Sequence, residues 1–92
     1  MMNMVEVREW FNNAVNNKRI IVDDCGKVKY MIVMFDIFDA DYYPVYVTVG
    51  EDLNERCCRL RNQRMQQIER IYDLDIGFDN QNGDWKQFYS GF

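Results

Sequence analysis

Apolar positions are densest between Lys27 and Phe38, where nearly every side chain from Val28 onward is hydrophobic. A short run without alternation reads as a strand covered on both faces, so residues 27–38 are predicted to form the central strand of a sheet. Asp36 interrupts the run. A bare charge inside a sheet costs several kcal/mol, and the expectation is an ion pair with Arg64 or Arg61.

Around this strand the pattern changes period. Met4, Val7, Trp10, Phe11, Ala14 and Val15 recur at helical spacing, which predicts a helix over 4–17, with Asn3 and Glu6 as a capping pair and Asn16-Asn17 as the stop. Arg19–Asp23 reads as a short strand, joined to the central one through the turn residues Asp24-Cys25-Gly26. Residues 39–44 read as a connection, and Val45–Val49 alternates like a half-buried strand. Asp52 and Glu55 form a second capping pair, and Leu53, Cys57, Leu60, Ile68 and Ile71 form a stripe that predicts one helix over 53–73, with Arg64 inside the stripe and Arg61 on its border. The turn Asn82-Gly83 precedes Trp85, Phe88, Tyr89 and Phe92, an aromatic tail that either forms a short helix or folds onto the domain.

The expectation is a single α+β domain over 1–92, in the order α-β-β-β-α. It has a three-stranded antiparallel sheet with 27–38 central, two helices on one face and an aromatic C-terminal extension. Trp10, Phe11, Val33, Phe35, Leu60 and Ile68 are the predicted core.

Composition narrows the functional classes. With 48% hydrophobic residues the chain can build a core, and its net charge of −4 disfavours general binding to DNA or anionic membranes. The first residues carry early acids and no apolar stretch of the leader type, and no run is long enough to span a bilayer, so a cytoplasmic protein is expected. Three cysteines, two of them adjacent, suit reduced thiols. The chain has no histidine, a single serine (Ser90) and a single threonine (Thr48), which removes His-based triads and His-ligated metals from a single chain. No catalysis and no cofactor are expected.

Three local patterns invite chemistry, and each has a plainer reading. Asp36, Asp39 and Asp41 offer oxygen ligands, but without the surrounding pattern of a metal site. The stretch Asp73–Asp84 has the composition of a calcium loop, yet counting from Asp79 its glycine falls one place early and Ser90 stands where a bidentate glutamate is needed. Cys57 and Cys58 lie near Arg56 and Arg59, but Cys57 is on the apolar stripe and no histidine base exists.

Charge is arranged in blocks: residues 36–55 hold six acids (Asp36, Asp39, Asp41, Glu51, Asp52, Glu55) and no base, while residues 56–70 hold five arginines against Glu69. Blocks of one sign steer partners. The α-β-β-β-α order also matches the double-stranded-RNA-binding domain, but Glu51-Asp52 stand where that family has its lysine cluster, so its function is not carried over. The same order, size and acidity resemble small phage-encoded anti-CRISPR inhibitors. That resemblance implies a DNA-mimicking acidic surface formed by Asp36, Asp39, Asp41, Glu51, Asp52 and Glu55.

The expected function is therefore a non-catalytic, protein-binding inhibitor. It would use those acids, with Tyr42, Tyr43 and Tyr46 as apolar anchors, against a basic nucleic-acid-binding enzyme such as a CRISPR effector. Two alternatives stay open. One is a nucleic-acid-binding module using Arg56, Arg59, Arg61, Arg64 and Arg70; the other is a homodimeric structural protein closing over the aromatic tail.

Overall fold

The computed structural model describes residues 2–16 and 27–88. The strand expected at 19–23, the turn at 24–26, and Tyr89 and Phe92 lie outside these residues. The elements are α1 (Met4–Asn16), β1 (Val28–Asp36), β2 (Asp41–Thr48), α2 (Leu53–Arg61) and β3 (Gln66–Asp73), followed by two short 3-10 turns at Phe78–Asn80 and Trp85–Gln87. The fold is α+β, with two helices and a three-stranded sheet of order β2-β1-β3. Both neighbours of β1 run antiparallel to it, and β1 is central as its apolar run requires.

β2 and β3 are thus parallel to each other with β1 between them, and α2 is the crossover that carries the chain from the end of β2 back to the start of β3. The two helices cover opposite faces of the sheet, which corrects the expectation of both on one face. Met31 and Val33 of β1 pack with Val7, Phe11 and Ala14 of α1, and with Tyr72 and Leu74. Their alternating neighbours Ile32 and Met34 pack with Cys57 and Leu60 of α2, and with Val47 and Ile71. A central strand apolar on both sides needs a cover on each, and a single layer of helices would have left half of it wet. Full burial of each such side chain stabilises by about 1.5–3 kcal/mol.

The long helix expected over 53–73 is two elements. Asp52 caps α2 by accepting from the Glu55 N–H at 3.2 Å, and the helix closes at Asn62, whose N–H reaches the Cys58 carbonyl at 3.2 Å. Met65 then takes φ of 64°, a left-handed turn that starts β3. Within β3 the register slips once: Val33 pairs with Arg70, but Met34 pairs with Ile68. Glu69 is the extra residue of a bulge, so Ile68 and Ile71, three apart, face the same side of the sheet. That spacing imitates a helix in the sequence.

β2 begins at Asp41, four residues earlier than its alternation suggests, and includes Pro44. A proline is tolerated there because β2 is an edge strand and Pro44 sits where no N–H is owed to β1. Of the predicted core, Phe11, Val33 and Leu60 are buried, whereas Trp10, Phe35 and Ile68 are only partly so. The aromatic extension is core cover: Phe78 stacks on Tyr72 at 4.8 Å on the α1 side, while Trp85 and Phe88 pack against the α2-side cluster.

Candidate functional site

The six acids of 36–55 do not form one surface. Asp36, Asp39 and Asp41 surround the β1–β2 hairpin tip, while Glu51, Asp52 and Glu55 sit beyond the far end of β2. An eight-residue strand separates the two groups by roughly 23 Å. The second group is largely occupied within the fold. Glu51 accepts from the Thr48 N–H at 2.9 Å and pairs with Arg56 at 2.6 Å. Asp52 is the α2 cap, and Glu55 is exposed.

The tyrosines divide as well. Tyr42 and Tyr46 pack on the α1 side, and Tyr46 reaches the Trp10 carbonyl at 3.5 Å. Tyr43 faces the α2 side, where its hydroxyl donates to Gln66. Burial raises the phenol pKa of both Tyr43 and Tyr46.

Asp36 is not paired with Arg61 or Arg64 as expected. It closes β1 opposite Asp41, and its carboxylate accepts from the Phe38 N–H at 2.9 Å and the Asp39 N–H at 3.2 Å. The Asp39 N–H, then the Gln66 side chain, hold its pKa below the ordinary value, while partial desolvation opposes them. Backbone donors of the turn thus do the work assigned to a guanidinium, and the turn they shape leaves residues 37–40 exposed.

That tip is the most exposed apolar feature of the described residues. Phe38 is 78% exposed, Ile37 is 43% and Met65 is 47% exposed, and the Ile37 N–H bonds the Met65 carbonyl, which brings the backbone at Met65 up to that of the tip. Asp39 and Asp41 flank them in solvent. Among the described residues the ion pairs are Arg8–Asp79, Lys29 with Asp73 and Asp75, and Arg56–Glu51, none of which neutralises the tip.

The arginines form no continuous row, since the expected helix is broken. Arg56 is bound to Glu51, and Arg70 donates to the Tyr72 hydroxyl at 3.1 Å and to the Asn82 carbonyl at 3.0 Å. Arg59, Arg61 and Arg64 are exposed on the end of α2 and the following turn. A half-open cleft of about 380 Å³ lies beside β3, lined by Arg61, Gln66, Gln67, Ile68 and Trp85, with no nucleophile or general base among them. Burial pushes the Cys57 thiol up to about 11, which suits packing rather than reactivity. No group of metal-ligating side chains occurs among the described residues, and no described helix is long and apolar enough to cross a membrane.

Phe38 is the residue the sequence reading missed. It continues the apolar run of β1, and only the turn initiated by Asp36 places it outside. A comparison of the chain with protein-family models, curated proteins and solved structures finds no match to any of them.

The carboxylates held by donors carry a pH prediction. Asp36, Glu51 and Asp79 all have pKa values lowered in the fold: by the turn N–H of Asp39, by the Thr48 N–H, and by the Arg8 side chain respectively. A lowered folded-state pKa gives stability that is complete above the unfolded value and lost as pH falls through the folded one. The melting temperature is therefore expected to be flat from pH 7 to about 5 and to fall steadily below about pH 4. Glu51→Gln should reduce that slope; an unchanged slope would show that Glu51 is not coupled to folding.

Proposed function

We propose that the chain is a small non-catalytic inhibitor that works by binding a protein, and that it docks through the acid-rimmed apolar tip of the β1–β2 hairpin. The observation that carries this reading is Phe38, 78% exposed at the tip next to exposed Ile37, whose backbone bonds that of exposed Met65. Interface hot spots are aromatic anchors at the centre of a patch, ringed by polar groups that shield them from water. Asp36, Asp39 and Asp41 supply a rim of one sign, which favours a partner presenting lysines and arginines around an apolar socket and speeds its approach at low salt.

Such surfaces are typical of proteins whose own ligand is nucleic acid, and a CRISPR effector, the target implied by the anti-CRISPR resemblance, is one of that kind. The mimicking surface is narrower in this reading than the whole acidic block, because Glu51 and Asp52 are engaged within the fold.

The test is retention of a bacterial nucleic-acid-handling enzyme on the immobilised protein, compared across variants. Phe38→Ala is expected to weaken binding at least about 30-fold, the loss typical of a central aromatic anchor. Asp39→Lys with Asp41→Lys should abolish retention at physiological salt, with both variants melting like the parent. Undiminished binding by either variant, or direct retention of duplex DNA or RNA by the parent, would overturn the proposal.

A further inference from the structure

Beside the tip, on the α1 side of the sheet, a groove of about 300 Å³ runs between the first turns of α1 and the start of β2. Its walls include Trp10, Phe35 and Tyr42, with Glu6 and Asp41 at its rim and no lysine or arginine among its lining residues. Phe35 and Tyr42 lie against each other at 4.7 Å with their planes tilted by 41°. All three aromatic residues are half-buried, so they are fixed by the core yet keep some surface open.

The one base on α1, Arg8, is turned away from this groove. It is held by both carboxylate oxygens of Asp79, at 2.6 and 3.1 Å, and lies over the Phe78 ring at 4.7 Å. The groove therefore combines aromatic surface and two carboxylates, with no lysine or arginine among the described residues that line it. At the small end of ligand-pocket sizes, it suits a single side chain rather than a larger molecule.

We infer that this groove takes an arginine side chain of the partner. A guanidinium is planar and weakly hydrated, stacks on aromatic faces, and offers paired donors to carboxylates. A nucleobase would stack on the same walls, but its phosphate would meet Glu6 and Asp41. The inference rests on the protein-binding reading above and names one contact within it.

It can be tested without the partner, which keeps the two proposals separable. An acetylated, amidated Gly-Arg-Gly peptide is titrated into isotope-labelled protein, following the Trp10 indole N–H and the Ala40 and Asp41 amides. The expected result is saturable perturbation of these signals, at least tenfold weaker with the matching citrulline peptide. Glu6→Gln and Asp41→Asn should each weaken the arginine peptide about fivefold. Equal binding of the citrulline peptide, perturbation confined to other residues, or tighter binding of adenosine monophosphate would each overturn the inference. Loss of enzyme retention in Phe38→Ala with peptide binding intact would support both readings. Peptide binding unaffected by Glu6→Gln and Asp41→Asn, with tip-dependent retention still present, would remove the groove and leave the docking tip.

Discussion

Gly83→Ala is expected to lower the melting temperature by about 10 °C or more, a large loss for one methyl group. Gly83 has φ of 75°, a conformation that costs a non-glycine residue about 1–3 kcal/mol. A Cβ built there would lie 2.8 Å from Cζ and 2.9 Å from the hydroxyl oxygen of Tyr72. That ring cannot step aside: it is 1% exposed, stacked on Phe78 and edge-on to Phe11 at 6.1 Å.

The same loop closes the outer edge of β3. The Gly83 carbonyl accepts the Ile71 N–H at 3.1 Å, and Gln81 bonds both the N–H and the carbonyl of Asp73. Moving Gly83 therefore disturbs a core ring and an edge bond together. Each kcal/mol lost is worth about 4–8 °C in a domain of this size. Gly77→Ala provides the control. Its nearest neighbour would be the side-chain end of Asn80 at 2.8 Å, a group free to rotate, and Gly77 has φ of −61°. A thermal melt in which the two variants behave alike would disprove the account.

The parts of the fold that were legible are those where local pattern and tertiary need coincide. α1 shows its apolar face and its Asn3 cap in sequence, and Asn3 does accept from the Val5 N–H at 3.0 Å. β1 shows in its apolar run that both faces are covered, although not that each face is covered by a different helix. β3 was hidden because the bulge at Glu69 converts the strand period of two into a spacing of three between Ile68 and Ile71. Nothing local marks such a bulge; it is set by pairing with β1, and the helix reading had no breaker between Arg61 and Gln66 to stop it.

The site was half legible for a related reason. The acids at 36, 39 and 41 were visible, but the start of β2 at Asp41 decides that they stand a full strand away from Glu51 and Asp52. Likewise Phe38 reads as core until the Asp36 turn takes it out of the sheet.

Ile71→Ala is expected to destabilise the domain by about 2–5 kcal/mol, enough to leave a substantial fraction unfolded near 37 °C in a protein whose total stability is of the order of 5–15 kcal/mol. Ile71 is fully buried, pairs across the sheet with fully buried Ile32, and joins Met34, Val47, Cys57 and Leu60 in the α2-side cluster. The sheet divides the core into two small clusters, so a cavity on one side cannot be filled by side chains from the other. Ile71→Val should cost only about 0.5–1.5 kcal/mol, since it deletes one methylene and keeps the β-branched shape. Ile68→Ala should cost less than Ile71→Ala, because Ile68 is only partly buried and borders the open cleft beside β3. Urea denaturation of the three variants gives the ranking directly. An Ile68→Ala loss equal to or larger than that of Ile71→Ala would contradict the burial that the bulged register of β3 assigns to these two residues.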